Sequence, residues 1–333
     1  MWIRWRWCRP RGVPGHRVPI ESLVIIHLNG KLMSPEAAAI SPFDRGFIFG
    51  DGVYEGLRSF RGKLVGMDRH IKRMQDGLDE SRIPWDASVL TRLSEELLKA
   101  NAMPDAFIYW QVTRGAPGPG QPVRVRVPSG PMVPTVMGYC SPQVPIEKFV
   151  NGEPATVTAA VVEDCRWTRG HLKSISLLGN VIMAIEAAEG DAQDAILVKD
   201  GIVGEATAAN LLLVLPGKNG PEVVTPSLDS MPILAGVTRA IEMESAPQIV
   251  SRPVRVEELE KASELMLVGT TTMITSVIKL DGKPVSGGKP GPVARQLLRI
   301  LTGAIAAELG FDDIRGQLKA DTLKAWTTSP ANA

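Results

Sequence analysis

The stretch TRGHLKSISLLGN, residues 168–180, holds one lysine, Lys173, between a run that reads as a strand and a run that reads as a helix. Upstream, ATVTAAVVED (155–164) has the β-branched bias of a strand. Downstream, SISLLGNVIMAIEAAEG (174–190) repeats Ile182, Ile185 and Ala188 at helical spacing, with Ser174 as the expected N-cap and Gly190 as the expected end. No carboxylate lies within four residues of Lys173. A lysine in such a place ordinarily buries its stem and keeps its ammonium in water. One held in the apolar junction itself would be desolvated, which lowers its pKa and frees the amine to attack a carbonyl.

The rest of the chain is punctuated by hairpins. LVIIHLNGKLM (23–33) turns at Asn29-Gly30, VYEGLRSFRGKLVGM (53–67) at Arg61-Gly62, AILVKDGIVGEA (195–206) at Asp200-Gly201, and SVIKLDGKPV (276–285) is one more. ANLLLVLPGKNGPEVVT (209–225) reads as a further hairpin, and AFIYWQVTRG and PTVMGYC as strands flanking a Gly/Pro-rich loop, 115–133. Helices are expected over DRHIKRMQDGLDES, from Asp86 through Leu90, Leu93 and Leu97, over GVTRAIEMESA, VEELEKA and GPVARQLLRILTGAIAAELG. VGTTTMIT (268–275) reads as turn-rich. Many hairpins with intervening helices, and no strict βαβ alternation, predict a two-domain α+β or α/β chain. The expected division is an N-terminal domain over 23–143, a proline-marked linker at 144–147 and a C-terminal cofactor-binding domain over 148–315. A Trp/Arg-rich, then Pro/Gly-rich stretch at 1–22 is expected to be a disordered extension, and 316–333 a tail.

Composition excludes several classes. With 37 basic and 36 acidic residues in 333, net charge gives no reason to expect nucleic acid or an anionic membrane as partner. The apolar runs are too short to span a bilayer. Three scattered cysteines argue against a disulfide framework and for a reducing, cytoplasmic setting. The four histidines share no metal-ligand spacing, so no metal site is expected. GAPGPGQP (115–122) lacks the strand-then-helix frame of a dinucleotide fingerprint, and there is no Walker A motif or G-x-S-x-G elbow.

Other features converge on Lys173. Glu205, in GEATAAN, can hold a pyridine nitrogen protonated and so make the ring an electron sink, and the small residues after it leave room for a flat ring. GVTRAI (236–241) offers glycine, amide and hydroxyl at a helix start, suited to a phosphate dianion. Threonines follow the strand at 264–269, and Arg73 can clamp the same phosphate. Lysine, carboxylate and phosphate cup together suit pyridoxal 5′-phosphate.

The motifs FDRGFIFGDGVYEG (43–56), YWQVTRG (109–115), VEDCRWTRGHLKSISLLGN (162–180), GEATAAN, PILAGVTR (232–239) and GTTTMIT occur in that order. Over roughly residues 23–310 the chain resembles the class IV, fold-type IV pyridoxal-phosphate aminotransferases, and within them most closely the D-amino-acid (D-alanine) aminotransferases. The resemblance implies that Lys173 bonds to the cofactor and carries the proton, and that Glu205 partners the pyridine nitrogen. It assigns Arg73, Val237, Thr238 and Thr271 to the phosphate, Leu234 to one face of the ring and Tyr54 to the substrate side. It also implies a homodimer acting on an amino acid and a 2-oxo acid by a ping-pong route.

The chain departs from that pattern after VTRG. Best-known D-amino-acid aminotransferases carry an Arg-x-His pair there for the substrate carboxylate, whereas Pro119 and Gln121 stand at those places here. Arg124 and Arg126 follow and are candidates to substitute. YEGLRSF, with Arg58, resembles the branched-chain aminotransferases and makes Arg58 a third candidate. A branched-chain L-amino-acid transaminase, an (R)-amine transaminase and an aminodeoxychorismate-lyase-like enzyme therefore stand as alternatives.

Overall fold

The computed structural model describes residues 25–318 apart from 129 and 219. The expected extension at 1–22 and most of the tail lie outside the described residues.

Strands β1 (Ile26–Leu28), β2 (Lys31–Met33), β3 (Gly52–Phe60), β4 (Lys63–Leu64), β5 (Ala106–Thr113) and β6 (Thr135–Pro142) form an antiparallel sheet in the order β2-β1-β6-β5-β3-β4. Its hairpin turns have the geometry expected of their sequences. Asn29 and Gly30 have φ of 49° and 84°, and Arg61 and Gly62 have 49° and 79°, the type I′ signs that match strand twist. A short helix α1 (Arg45–Phe49) leads into β3, with the Asp44 side chain accepting from Gly46 N. Helices α2 (Met67–Ser81) and α3 (Leu90–Ala100) cover one face of the sheet, burying Met74, Leu78, Leu90 and Leu97 against Val53, Leu57, Ile108 and Trp110. Each such side chain contributes about 1.5–3 kcal/mol when fully buried. The Trp110 indole satisfies its N–H on Ser94 Oγ at 2.9 Å. Asp86 does cap the start of this region, but a 3-10 turn over Ala87–Val89 precedes α3.

The second sheet holds β7 (Ala155–Glu163), β8 (Asp194–Lys199), β9 (Ile202–Ala206), β10 (Asn210–Gly217), β11 (Gly220–Pro226), β12 (Val250–Arg252), β13 (Glu264–Gly269), β14 (Met273–Leu280) and β15 (Lys283–Pro284). Its order is β12-β11-β10-β13-β14-β7-β8-β9, with β15 paired to β14. Helix α4 (Leu178–Glu189) links β7 to β8, and α5 (Val237–Ser245) links β11 to β12; both strand pairs are parallel. Two βαβ units therefore sit among the hairpins. Helices α6 (Pro292–Leu309) and α7 (Asp312–Gln317) end the described chain.

The run LLLVL in β10 is apolar throughout because both of its faces are buried. Leu212 and Val214 face the core under α5 and α6, while Leu211, Leu213 and Leu215 face the opposite core. The sheet curls until β9 meets the segment after β12, Val203 N donating to Val254 O at 2.8 Å.

Several local expectations are corrected. Helix α4 begins at Leu178 with no side-chain cap, and Ser174 instead accepts from Ser176 N at 3.1 Å inside the preceding loop. VEELEKA is a 3-10 turn, Val256–Lys261. The turn in VGTTTMIT is confined to 270–272, and Met273 already pairs with Gly269 across the β13–β14 hairpin.

Candidate active site

Lys173 lies in neither strand nor helix. The loop after β7 lays itself along the free edge of β3: Tyr54 N donates to Lys173 O at 2.9 Å and Ile175 N donates to Gly52 O at 3.1 Å. These bonds make an isolated antiparallel bridge between Val53 and Ser174. The first sheet thus fixes the backbone of a residue that belongs, in sequence, to the second half.

The Lys173 side chain enters a cavity of about 240 Å³ lined by elements of both sheets. Its Nζ stands 4.4 Å from the centre of the Tyr54 ring. Burial, reinforced by the nearby Arg73 guanidinium, draws its pKa down from 10.5 to about 8. Burial pushes the Tyr54 phenol up to about 12, so it stays a hydrogen-bond donor at neutral pH.

Glu205, at the end of β9, lines the same cavity. Its carboxylate accepts from Arg166 Nη1 at 2.7 Å, Asn210 Nδ2 at 3.2 Å and Leu234 N at 3.1 Å. Burial raises its pKa above the ordinary value and Arg166 pulls the other way. Arg166 is itself shared with Asp164, Nη2 to Oδ2 at 2.8 Å. Gly236 completes this corner, because a Cβ there would fall 1.9 Å from Asn210 Oδ1 and displace the amide that holds Glu205.

A third group lines the cavity where α5 begins. Val237 and Thr238 are its first two residues, their amides without intrahelical acceptors, and Thr270 stands opposite. Arg73 reaches the cavity from α2 and donates from Nη1 to Ala235 O at 2.9 Å. Its Nε and Nη2 hold Glu55 at 2.7 and 2.8 Å, and His70 Nδ1 sits 2.8 Å from the same carboxylate. Burial alone would raise the Glu55 pKa; Arg73 and His70 hold it well below the usual carboxylate range.

The structure therefore gathers Lys173, Glu205, Arg73, Leu234, Val237, Thr238 and Tyr54 around one cavity. It does not place the remaining four expected residues there. Thr271 turns its carbonyl to Arg58 at 3.4 Å, and its neighbour Thr270 is the threonine that lines the cavity. Arg58 is expected on substrate but is only 2 % exposed, stacked over the Phe60 ring at 4.6 Å and donating to Val144 O at 2.9 Å. It shares a face of β3 with Tyr54, yet four residues along a strand is about 13 Å, which carries it past the cavity. Arg124 and Arg126 are exposed on the β5–β6 loop and do not line the cavity of their own chain. That loop is held by Arg45, which donates to Val125 O at 2.6 Å and Arg126 O at 2.9 Å while Asp51 fixes its Nε at 2.7 Å.

Sequence reasoning did not single out Glu55, His70, Arg166, Asn210 or Thr270. Glu55 had a signal, the one carboxylate of the strand GVYEGLRSF, which is followed by a helix with basic residues. Arg166 sits in the quoted VEDCRW stretch with nothing local to give it a role.

The donor set fits pyridoxal 5′-phosphate: an enclosed amine of lowered pKa, a buried carboxylate and the first turn of a helix with hydroxyls beside it. Comparison with known proteins agrees. The family model of class IV amino-transferases matches residues 52–280, and the chain belongs to that family. It is a pyridoxal-phosphate-dependent aminotransferase of fold type IV. The D-alanine aminotransferase of Staphylococcus aureus (strain COL) is 34 % identical over 82 % of this chain and 94 % of its own length. That of Bacillus licheniformis is 33 % identical over 84 % and 96 %. Among solved structures, the branched-chain aminotransferase of Escherichia coli covers 86 % of this chain and 95 % of its own at a TM-score of 0.72 and 22 % identity, a likeness of fold.

Proposed function

We propose that this aminotransferase is a D-amino-acid transaminase, with D-alanine as a favoured donor and a 2-oxo acid as acceptor. The observation that carries the reading is the enclosed Lys173 amine, set between the Tyr54 ring and the far-end carboxylate Glu205. The choice of D over branched-chain L substrates is supported by the named relatives above 30 % identity. It is supported also by the withdrawal of Arg58, the residue behind the branched-chain expectation, into the protein.

Bound pyridoxal 5′-phosphate supplies an electron sink for the bond broken at the substrate α-carbon. Lys173 would be the nucleophile that holds the cofactor and the base that moves the proton from the substrate α-carbon to C4′. Glu205 would hold the proton on the ring nitrogen, and Leu234 would lie against the ring. The amides of Val237 and Thr238, the hydroxyls of Thr238 and Thr270, and Arg73 would hold the phosphate. Tyr54 flanks Lys173 on the substrate side. Arg124 or Arg126 of a second subunit takes the substrate carboxylate. The homodimer this requires is favoured by exposed apolar side chains, Phe47 at 82 %, Val133 at 84 % and Leu178 at 72 %.

The test is a half-reaction screen of the cofactor-loaded protein with D-alanine, D-glutamate, L-leucine, L-valine and (R)-1-phenylethylamine, followed by the loss of visible absorbance. D-alanine should react fastest, and a faster L-leucine reaction would overturn the D reading. Borohydride should fix the cofactor to the parent protein and not to Lys173→Ala.

A further inference from the structure

Arg58 is a buried guanidinium with an unusual deficit. Among the described residues it makes no ion pair. Its Nη2 donates to Val144 O at 2.9 Å, and Nη1 makes only long contacts, 3.4 Å to Thr271 O and 3.5 Å to Gln143 Oε1. Its Nε has no acceptor among the described residues. Asp105 acts on it only from a distance. Arg239, another buried guanidinium nearby, is different: Thr225 Oγ1, Pro226 O and Ser251 Oγ satisfy it at 3.0–3.1 Å. An uncompensated buried cation is expensive unless something of opposite charge completes it.

The position of Arg58 says what that is. It lines a small cavity of about 10 Å³, too small for a ligand, which Val237, Thr238 and Thr270 also line. Those three residues also line the large cavity, where α5 begins. Arg58 thus stands one residue layer behind the phosphate cup. Arg73, which reaches into the cup, has its charge already matched by the fully buried Glu55. A phosphate in this cup would meet in Arg73 a donor whose charge Glu55 already matches, and the unmatched charge of Arg58 lies behind the wall.

We propose that Arg58 is the buried counter-charge of the cofactor's phosphate, a positioning residue that acts through the cup rather than by contact. The proposal rests on the phosphate placement argued above. It accounts for two facts together: the lone charge and the shared wall. It also gives Arg58 a second duty, since its bonds to 144 and 271 tie the linker and the cup's threonine turn to β3.

The two duties separate by experiment. Affinities for pyridoxal 5′-phosphate and for pyridoxal, which lacks the phosphate, are measured on the full-length protein for the parent, Arg58→Gln and Arg58→Lys. Borohydride labelling of Lys173 checks that each ligand occupies the cavity, so failure of labelling in the parent indicts the site assignment and not this inference. Arg58→Gln should bind pyridoxal 5′-phosphate roughly ten- to thirtyfold more weakly and pyridoxal as the parent does. Equal weakening for both ligands, or no weakening, would overturn the proposal. Arg58→Lys keeps the charge and loses the fork, and it decides alone if Arg58→Gln does not fold. An unchanged ratio of the two affinities supports the counter-charge; a tenfold fall in that ratio refutes it.

Discussion

Glu55→Gln is the sharpest perturbation of the architecture. The Glu55 side chain is fully buried and receives Arg73 through two bonds of 2.7 and 2.8 Å. Glutamine keeps the volume and one acceptor for His70 but leaves the Arg73 charge without a partner. Breaking one side of a buried pair costs about 3–5 kcal/mol. With an unfolding entropy of about 2.1 cal/mol/K per residue, a chain of 333 residues loses roughly 1.4 °C per kcal/mol, so the melting temperature should fall by about 4–7 °C. The measurement is a thermal melt of the full chain at fixed protein and saturating cofactor, because both shift the midpoint. Arg73→Gln should cost a similar amount, and the double variant less than the sum of the two. The pH dependence has a definite sign. A carboxyl held below its ordinary value of 4.5 stabilises fully above that pH, and the contribution disappears as pH falls through the folded value. The gap between parent and variant should therefore be widest near neutrality and close in acid. A loss under about 1 kcal/mol, the size of a surface pair, or strictly additive singles, would refute the reasoning.

The remaining expectations concern the site. With its pKa drawn down to about 8, Lys173 should bond added pyridoxal at a rate that climbs with pH below that value and levels above it; a climb continuing to pH about 10.5 would mean an ordinary solvated lysine. Arg166→Gln removes the cation facing Glu205, so burial should raise that carboxyl further, and kcat should fall about tenfold per unit of rise. A kcat unchanged at every pH would show that Arg166 has no hold on Glu205. Arg45→Gln frees the carbonyls of Val125 and Arg126, so KM should rise several-fold with kcat little changed and the β5–β6 loop should become a site of proteolysis. Identical KM and an identical digest would remove Arg45 from that role.

The parts legible in the sequence were those with local causes. Asn29-Gly30 and Asp200-Gly201 carry positive φ, which residue type alone anticipates; Arg61, with φ of 49°, takes it from the tight turn that Gly62 completes. Helix α6 ends at Gly310, with φ of 70°, where the GPVARQ run stops. The parallel pairings of β7 with β8 and β11 with β12 were not legible, because nothing local says which strands meet. Thr270 and Thr271 are chemically alike, and only the turn decides which of them faces the cavity. Arg58 was a candidate through the resemblance of YEGLRSF to the branched-chain aminotransferases; distance along the strand, and its stacking over Phe60 and beside Phe149, place it elsewhere. Lys173 was legible as unusual, but its lowered pKa comes from groups far away in sequence, with Arg73 foremost after burial itself.

The bridge between Val53 and Ser174 has a consequence for how activity arises as the chain folds. The lysine's backbone is ordered by a strand edge about 120 residues earlier, so no folding unit confined to one half can assemble the reactive amine. Contacts of such sequence separation form late, after their loop-closure entropy has been overcome. Chemical reactivity at Lys173 is thus a clock for the docking of the two sheets: secondary structure and local cores can be in place while the amine still behaves as free lysine. Trapping an aldehyde during refolding would report that last step, separately from the spectroscopic signals that mature before it.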